Sequence, residues 1–161
     1  METSPKMYNV AIPGTTDSLS VLRSFMVEAA RRAGLSEVQG AQLELAVCEA
    51  CANIIEHGYK FAPDKMIQVQ FAAEPNRVVV TIQDESPEGY PLNQVRVVTL
   101  EEFLQSGRRR GLGVYIIRHC ADQVEHSFHP AQGNRLRLVF LRQGGRAGSL
   151  DGCGVSAEGC C

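Results

Sequence analysis

Between Leu43 and His57 the chain is apolar on nearly every side of a helix, and the exceptions line up. At about 100° per residue, Gln42, Glu49, Asn53, Glu56 and His57 fall in one narrow stripe. Around it run Leu43, Leu45, Val47, Ala50, Ile54 and Ile55, with Glu44 the charged interruption. A helix apolar over most of its circumference has to be largely buried. A carboxylate and an amide on such a helix are costly unless they face a wet cavity, an ion or a ligand. Glu49 and Asn53 are four residues apart, so both side chains project from one face toward the same point. An Asn carbonyl oxygen is a hard ligand for magnesium, which binds few protein groups. A neighbouring carboxylate is able to accept the proton of an attacking hydroxyl. A solvated helix face with an incidental Glu/Asn pair has the same periodicity, so other segments must decide.

Those segments read as short strands and helices around this one. Residues 8–12 alternate as a strand stopped by Pro13-Gly14, and Asp17 or Ser18 opens a helix that Gly34 ends. Ser36-x-x-Gln39 predicts a capping box for the central helix, which runs to about His57 with Gly58 beyond. Residues 66–71 and 78–82 form a hairpin turned by Glu74-Pro75-Asn76. Residues 84–98 read as a loop, and Thr99-x-x-Glu102 caps a short helix. After a basic link at 106–110, a helix over 112–121 leads into a second hairpin, 124–128 with 136–141. The order predicts an α+β fold: a two-layer α/β sandwich with helices on one face of a mixed, mainly antiparallel sheet. At 161 residues the chain suits one domain, expected over 1–142, with a Gly/Ser/Cys-rich and disordered tail over 143–161.

Composition removes several function classes. A net charge of −2 offers no global basic field for nucleic acid or an anionic membrane. No apolar run approaches the roughly 20 residues that span a bilayer, and the start METSPKMYNV lacks the basic end and apolar stretch of a secretory signal. The cytoplasm is the expected location. Cys48-x-x-Cys51 is one pair on a buried helix with no second pair, so it reads as core thiols rather than zinc ligands. Cys120 closes another apolar segment, and Cys153, Cys160 and Cys161 fall in the tail.

Two loops carry further chemistry. The strand at 78–82 runs into Gln83-Asp84-Glu85-Ser86-Pro87-Glu88-Gly89, where an acidic residue at a strand end either accepts from the amino group of a base or starts a turn. Gly111-Leu112-Gly113 opens a helix whose N-terminal amides favour phosphate. In order, Glu49-Ala-Cys-Ala-Asn53 with His57, then Asp84 with its turn, then Gly111-Leu112-Gly113 resemble the N, G1 and G2 boxes of the GHKL (Bergerat-fold) ATPases. ELAVCEACANIIEHGY, GRRRGLGVYIIRHCADQVEH and GNRLRLVF resemble, within that fold, the anti-sigma-factor serine kinases. The resemblance covers about residues 8–142.

The resemblance implies a nucleotide held between helices and sheet, ATP with Mg2+ as cofactors, and a lid expected over residues 91–110. It gives Glu49 the role of general base and Asn53 that of magnesium ligand. His57 and Ser86 border the nucleotide, Asp84 takes the adenine amino group, and Arg109, Arg110, Gly111, Leu112 and Gly113 form the phosphate side. It also implies a sigma factor that the protein holds, an antagonist protein whose serine it phosphorylates, and a homodimer. Three positions depart from the pattern. Ser86 and Glu88 stand where the G1 box D-x-G-x-G has glycines, and Arg109 stands at the first glycine of G-x-G-x-G. Arg108 to Arg110 either contact phosphate or form a solvated basic turn. An ATP-dependent serine kinase is the expected function, and the departures leave open a non-catalytic ATP-binding partner-switch module of the same fold.

Overall fold

A computed structural model of the chain describes residues 4–89, 99–107 and 112–142. The order is β1 (Lys6–Pro13), α1 (Ser18–Arg32), α2 (Glu37–Asn53), a π turn (Ile54–Gly58), β2 (Met66–Ala73), β3 (Arg77–Asp84), α3 (Leu100–Ser106), α4 (Gly113–Cys120), β4 (Gln123–His129) and β5 (Gly133–Leu141). The 143–161 tail and most of the lid segment expected at 91–110 lie outside the described residues. Among the described residues, no helix is long and apolar enough to cross a membrane.

Five strands make one sheet in the order β1-β2-β3-β5-β4. The α+β class holds, and where a mixed sheet was expected, all four described pairings are antiparallel. The two hairpins account for two of them. The reversal at β1–β2 follows from two helix traverses in between, which return the chain to the end where β1 finished. Alternate strand residues, among them Ile12, Val69, Phe71, Val80, Ile82 and Leu138, face the helices and are buried. Leu22 and Met26 of α1, Leu43 and Val47 of α2 and Ile117 of α4 complete this core. Each such side chain contributes about 1.5–3 kcal/mol by leaving water. The other sheet face is polar, with Gln70 Nε2 donating to Asn9 Oδ1 at 3.1 Å and Arg137 paired with Glu125 at 3.1 Å. Among the described residues, helices cover the apolar face only.

The local signals that place α2 hold, with two changes. Ser36 accepts from the Gln39 backbone amide at 3.2 Å, but the Gln39 side chain does not return to the cap. It donates instead to the Leu141 carbonyl at 2.8 Å, tying the start of α2 to the end of β5. Glu44, the odd charge on the apolar helix, pairs with Arg23 of α1 at 2.7 Å. At the other end the α-helix stops at Asn53 and continues to Gly58 as a π turn, where an α-helix to His57 was expected. Such wider turns recur at functional sites because they re-aim side chains. Lys60 and Phe61 follow at φ 50° and 62°, left-handed conformations that cost roughly 1–2 kcal/mol per non-glycine residue.

Tyr59 is what holds this exit in place. Its hydroxyl donates to the Met66 carbonyl at 2.6 Å and accepts from the Glu85 amide at 2.9 Å, so one side chain joins the π turn, β2 and the end of β3. Burial pushes its phenol up to about 12, so it stays a donor across the working range. Tyr59→Phe removes both bonds and keeps the ring. It is expected to destabilise the fold by about 1–2 kcal/mol, read as a lower urea midpoint at unchanged slope.

Candidate functional site

The stripe on α2 meets the start of α4. A side chain at Gly113 would begin 3.0 Å from Asn53 Nδ2, 3.3 Å from Asn53 Oδ1 and 3.2 Å from Glu49 Oε2. Glycine lets the first turn of α4 lie against the Glu49–Asn53 pair without crowding it. The N-cap position, Leu112, offers no side-chain cap, so the amides at this helix end keep their donor capacity. Asn53 Nδ2 is buried and has no hydrogen-bond partner among the described residues. Glu49 is half-buried; desolvation, and then the charge of Glu56, hold its carboxyl above the ordinary value of 4.5. A carboxylate raised in this way is a better proton acceptor than a solvated one.

The same helix face continues into a cavity of about 270 Å³. Ile54, His57, Gly58 and Lys60 form one wall, and Asp84, Ser86 to Gly89 and Asn134 form the other. Asp84 is buried at the end of β3, and its Oδ1 accepts from the Ser86 amide at 2.8 Å and from Asn134 Nδ2 at 3.2 Å. The β4–β5 turn approaches so closely that a side chain at Gly133, already at φ 79°, would overlap the Asp84 backbone. Gly89 lies against the ring of Phe128, which fastens the far end of the loop. Ser86 is buried, and its Oγ has no hydrogen-bond partner among the described residues. The space that a side chain at Gly58 would need is filled by the Ser86 hydroxymethyl group.

Two clusters therefore lie along one helix face. Glu49, Asn53, Leu112 and Gly113 meet at one end, with Leu112 half-buried. His57, Asp84 and Ser86 line the cavity at the other, and His57 is exposed with its ring 4.0 Å from Glu56. Arg109, Arg110 and Gly111 lie outside the described residues. The N-box cysteines are core: Cys48 and Cys51 are buried, and burial pushes both thiols up, away from the ligating thiolate form. Sequence reasoning missed Asn134, Tyr59 and Lys60, and took Gly58 for a helix stop. Asn134 stands in GNRLRLVF, but nothing local marks it as the partner of an aspartate fifty residues earlier.

The family described as "Histidine kinase-like ATPase domain" matches residues 12–140. The "Serine-protein kinase RsbW" of Bacillus subtilis (strain 168) is 23% identical over 133 residues, covering 80% of this chain and 82% of the relative. That of Bacillus cereus (strain AH820) is 25% identical over 118 residues, covering 71% and 72%. The crystal structure of the RsbU and RsbW domains of a Mycobacterium tuberculosis protein superposes with a TM-score of 0.57 at 16% identity. That match covers 85% of this chain and 32% of the longer one, and it supports the fold alone.

The packing of Gly58 against Ser86 makes a paired steric test. Gly58→Ala alone overpacks the site and is expected to destabilise by about 1–3 kcal/mol. Combined with Ser86→Gly it is expected to recover most of that loss. Urea melts of the two single variants and the double variant measure the coupling. Glu49 supplies a second test, through pH. Its folded value lies above its unfolded one, so its contribution to stability is complete below about pH 4.5 and is lost as pH rises through the folded value. Glu49→Gln cannot ionise. It is expected to melt higher than the native chain at pH 7, with the gap closing as the pH falls to 4.

Proposed function

Because the chain belongs to the histidine kinase-like ATPase domain family, we propose that it is an ATP-dependent serine kinase of the anti-sigma-factor type, which holds a sigma factor and phosphorylates a serine of an antagonist protein. The observation that carries this reading is the pair of buried polar atoms without partners among the described residues, Asn53 Nδ2 and Ser86 Oγ, at the two ends of one helix face. Buried polar groups are rarely left unpaired. In this reading one belongs to the phosphate side and the other to a base-sized cavity, about one helical turn apart, since Ile54 and His57 of the cavity lie one and four residues after Asn53.

In this reading Asp84 accepts the adenine amino group, and Ser86 and His57 border the base and sugar. The first amides of α4, opened by Leu112 and Gly113, receive the phosphates at a helix N-terminus. Arg109, Arg110 and Gly111 carry phosphate contacts by resemblance. The residues fit a magnesium ion in donor chemistry: Asn53 carries a hard amide oxygen, and the Glu49 carboxylate lies beside it at the start of α4. Asn53 would hold the ion, which when bound neutralises charge developing on the phosphates. Glu49 accepts the proton of the incoming serine hydroxyl as that oxygen bonds to the terminal phosphorus and the bond to ADP breaks. Positioning does most of the remaining work in phosphoryl transfer. The homodimer that the resemblance implies and the cytoplasmic location expected from the sequence complete this reading.

A second reading, a partner-switch module that binds without turnover, draws support from Ser86, Glu88 and Arg109 at glycine positions. One set of measurements separates the two. ATP-Mg is expected to raise the melting temperature by mass action. Glu49→Gln is expected to keep that shift and to lower phosphate transfer to the antagonist by about 10²-fold or more. Asn53→Ala is expected to lose the magnesium-dependent part of the affinity as well. No melting shift and no calorimetric heat at millimolar ATP would sink both readings; binding without transfer by the native chain would select the second.

A further inference from the structure

We propose that His126 and Asn134 form a positioning chain that fixes which oxygen of Asp84 faces the base, and thereby sets a preference for a 6-amino purine. The proposal rests on the reading of Asp84 as the contact for the adenine amino group. It starts from Asn134, which is 4% exposed and pairs directly across the sheet with Asp84. Asn134 Nδ2 donates to Asp84 Oδ1 at 3.2 Å and to the Glu88 carbonyl at 3.1 Å. Both partners are acceptors, so the amide has one workable orientation. Reversed, it would set its oxygen against a carboxylate and a carbonyl.

His126, on β4, closes the other end. Its Nε2 lies 2.8 Å from Asn134 Oδ1, an acceptor, so Nε2 carries a proton and donates. The Ser86 amide is the second donor to Asp84 Oδ1, at 2.8 Å. With Oδ1 engaged by Ser86 and Asn134, Oδ2 is the oxygen left to accept from a ligand in the cavity that Asp84 and Asn134 both line. An exocyclic amino group donates to it, whereas a 6-oxo group is an acceptor and meets like charge. Without His126 the buried Oδ1 of Asn134 loses that donor, so the amide shifts to recover one and Nδ2 loosens its hold on Asp84. His126 is not among the residues lining the cavity, so it acts through Asn134.

The test compares affinities of the full chain for ATP-Mg and inosine triphosphate with magnesium, by calorimetry, in the native protein, His126→Leu, His126→Gln and Asn134→Ala. The native chain is expected to favour ATP by about tenfold or more, the size of one buried polar mismatch. His126→Leu and Asn134→Ala are expected to bring the ratio within about threefold, mainly by weakening ATP. His126→Gln keeps a donor and is expected to restore the preference, which a merely structural role would not produce. Circular-dichroism melts without nucleotide establish that each variant is folded. A His126→Leu variant with the native ATP-to-ITP ratio would overturn the proposal. Should that variant not fold, an unchanged ratio in Asn134→Ala overturns it equally. A native chain that binds the two nucleotides alike refutes the Asp84 reading itself, before any variant is made.

Discussion

Setting a carboxylate and an amide on α2, a helix packed between α1, α4 and the sheet, carries a desolvation cost that the described protein groups leave uncompensated. Glu49 is held above its ordinary value by burial, and Asn53 Nδ2 lacks a hydrogen-bond partner among the described residues. A chain selected for stability alone would put leucine or alanine there, as it does at Leu43, Ala46 and Ala50 on the same helix. The rest of the structure is arranged around keeping that pair in place and reachable. The sheet and α1 bury the other sides of α2, Arg23 neutralises the stray Glu44, and Gly113 brings a helix end against the polar side without filling it.

The two ends of the site are coupled by the chain that leaves α2. Asn53 is the last α-helical residue, and the five that follow form the π turn that supplies Ile54, His57 and Gly58 to the cavity. A change of pitch there would rotate the cavity wall relative to Asn53. Tyr59 resists it by bonding β2 and the Glu85 amide at once, and the left-handed Lys60 and Phe61 complete a turn whose strain is maintained by those attachments. The placement of Asp84 then depends on both sheet neighbours: Ile67 of β2 on one side and Asn134 of β5 on the other.

Much of this was legible in the sequence because the relevant signals are local. The stripe on α2 is a matter of period, the hairpins of alternation and turn residues, and the short helix α3 of a capping box that forms in full between Thr99 and Glu102. What escaped was set by distance along the chain. Asn134 has no period or spacing that ties it to Asp84; only the β3–β5 register brings them together. Gly58 reads as a helix stop, since its contact with Ser86 is invisible until β3 is laid beside the π turn. Gln39 fits a capping box locally, yet the Leu141 carbonyl, an acceptor 102 residues later, wins its side chain. The π turn itself has no signal in composition, because Ile54 to Gly58 would suit an α-helix equally well.

The altered glycine loop is best understood through these non-local contacts. A serine in place of glycine adds a side chain to a crowded corner, and at position 86 the added volume is received by the missing side chain of Gly58. The backbone of the loop is kept: the Ser86 amide still bonds Asp84, and Glu88, the second departure, offers its carbonyl to Asn134 while its side chain stays at the exposed surface. Both substitutions are thus accommodated in shape, and the aspartate keeps its donors. What changes is chemistry at the cavity wall, where a buried hydroxyl able to donate and accept replaces a bare backbone. Loss of affinity through collapse of the loop does not fit that arrangement. Under the proposed reading, a shift in which groups of a nucleotide are hydrogen-bonded does, because Ser86 Oγ has no hydrogen-bond partner among the described residues.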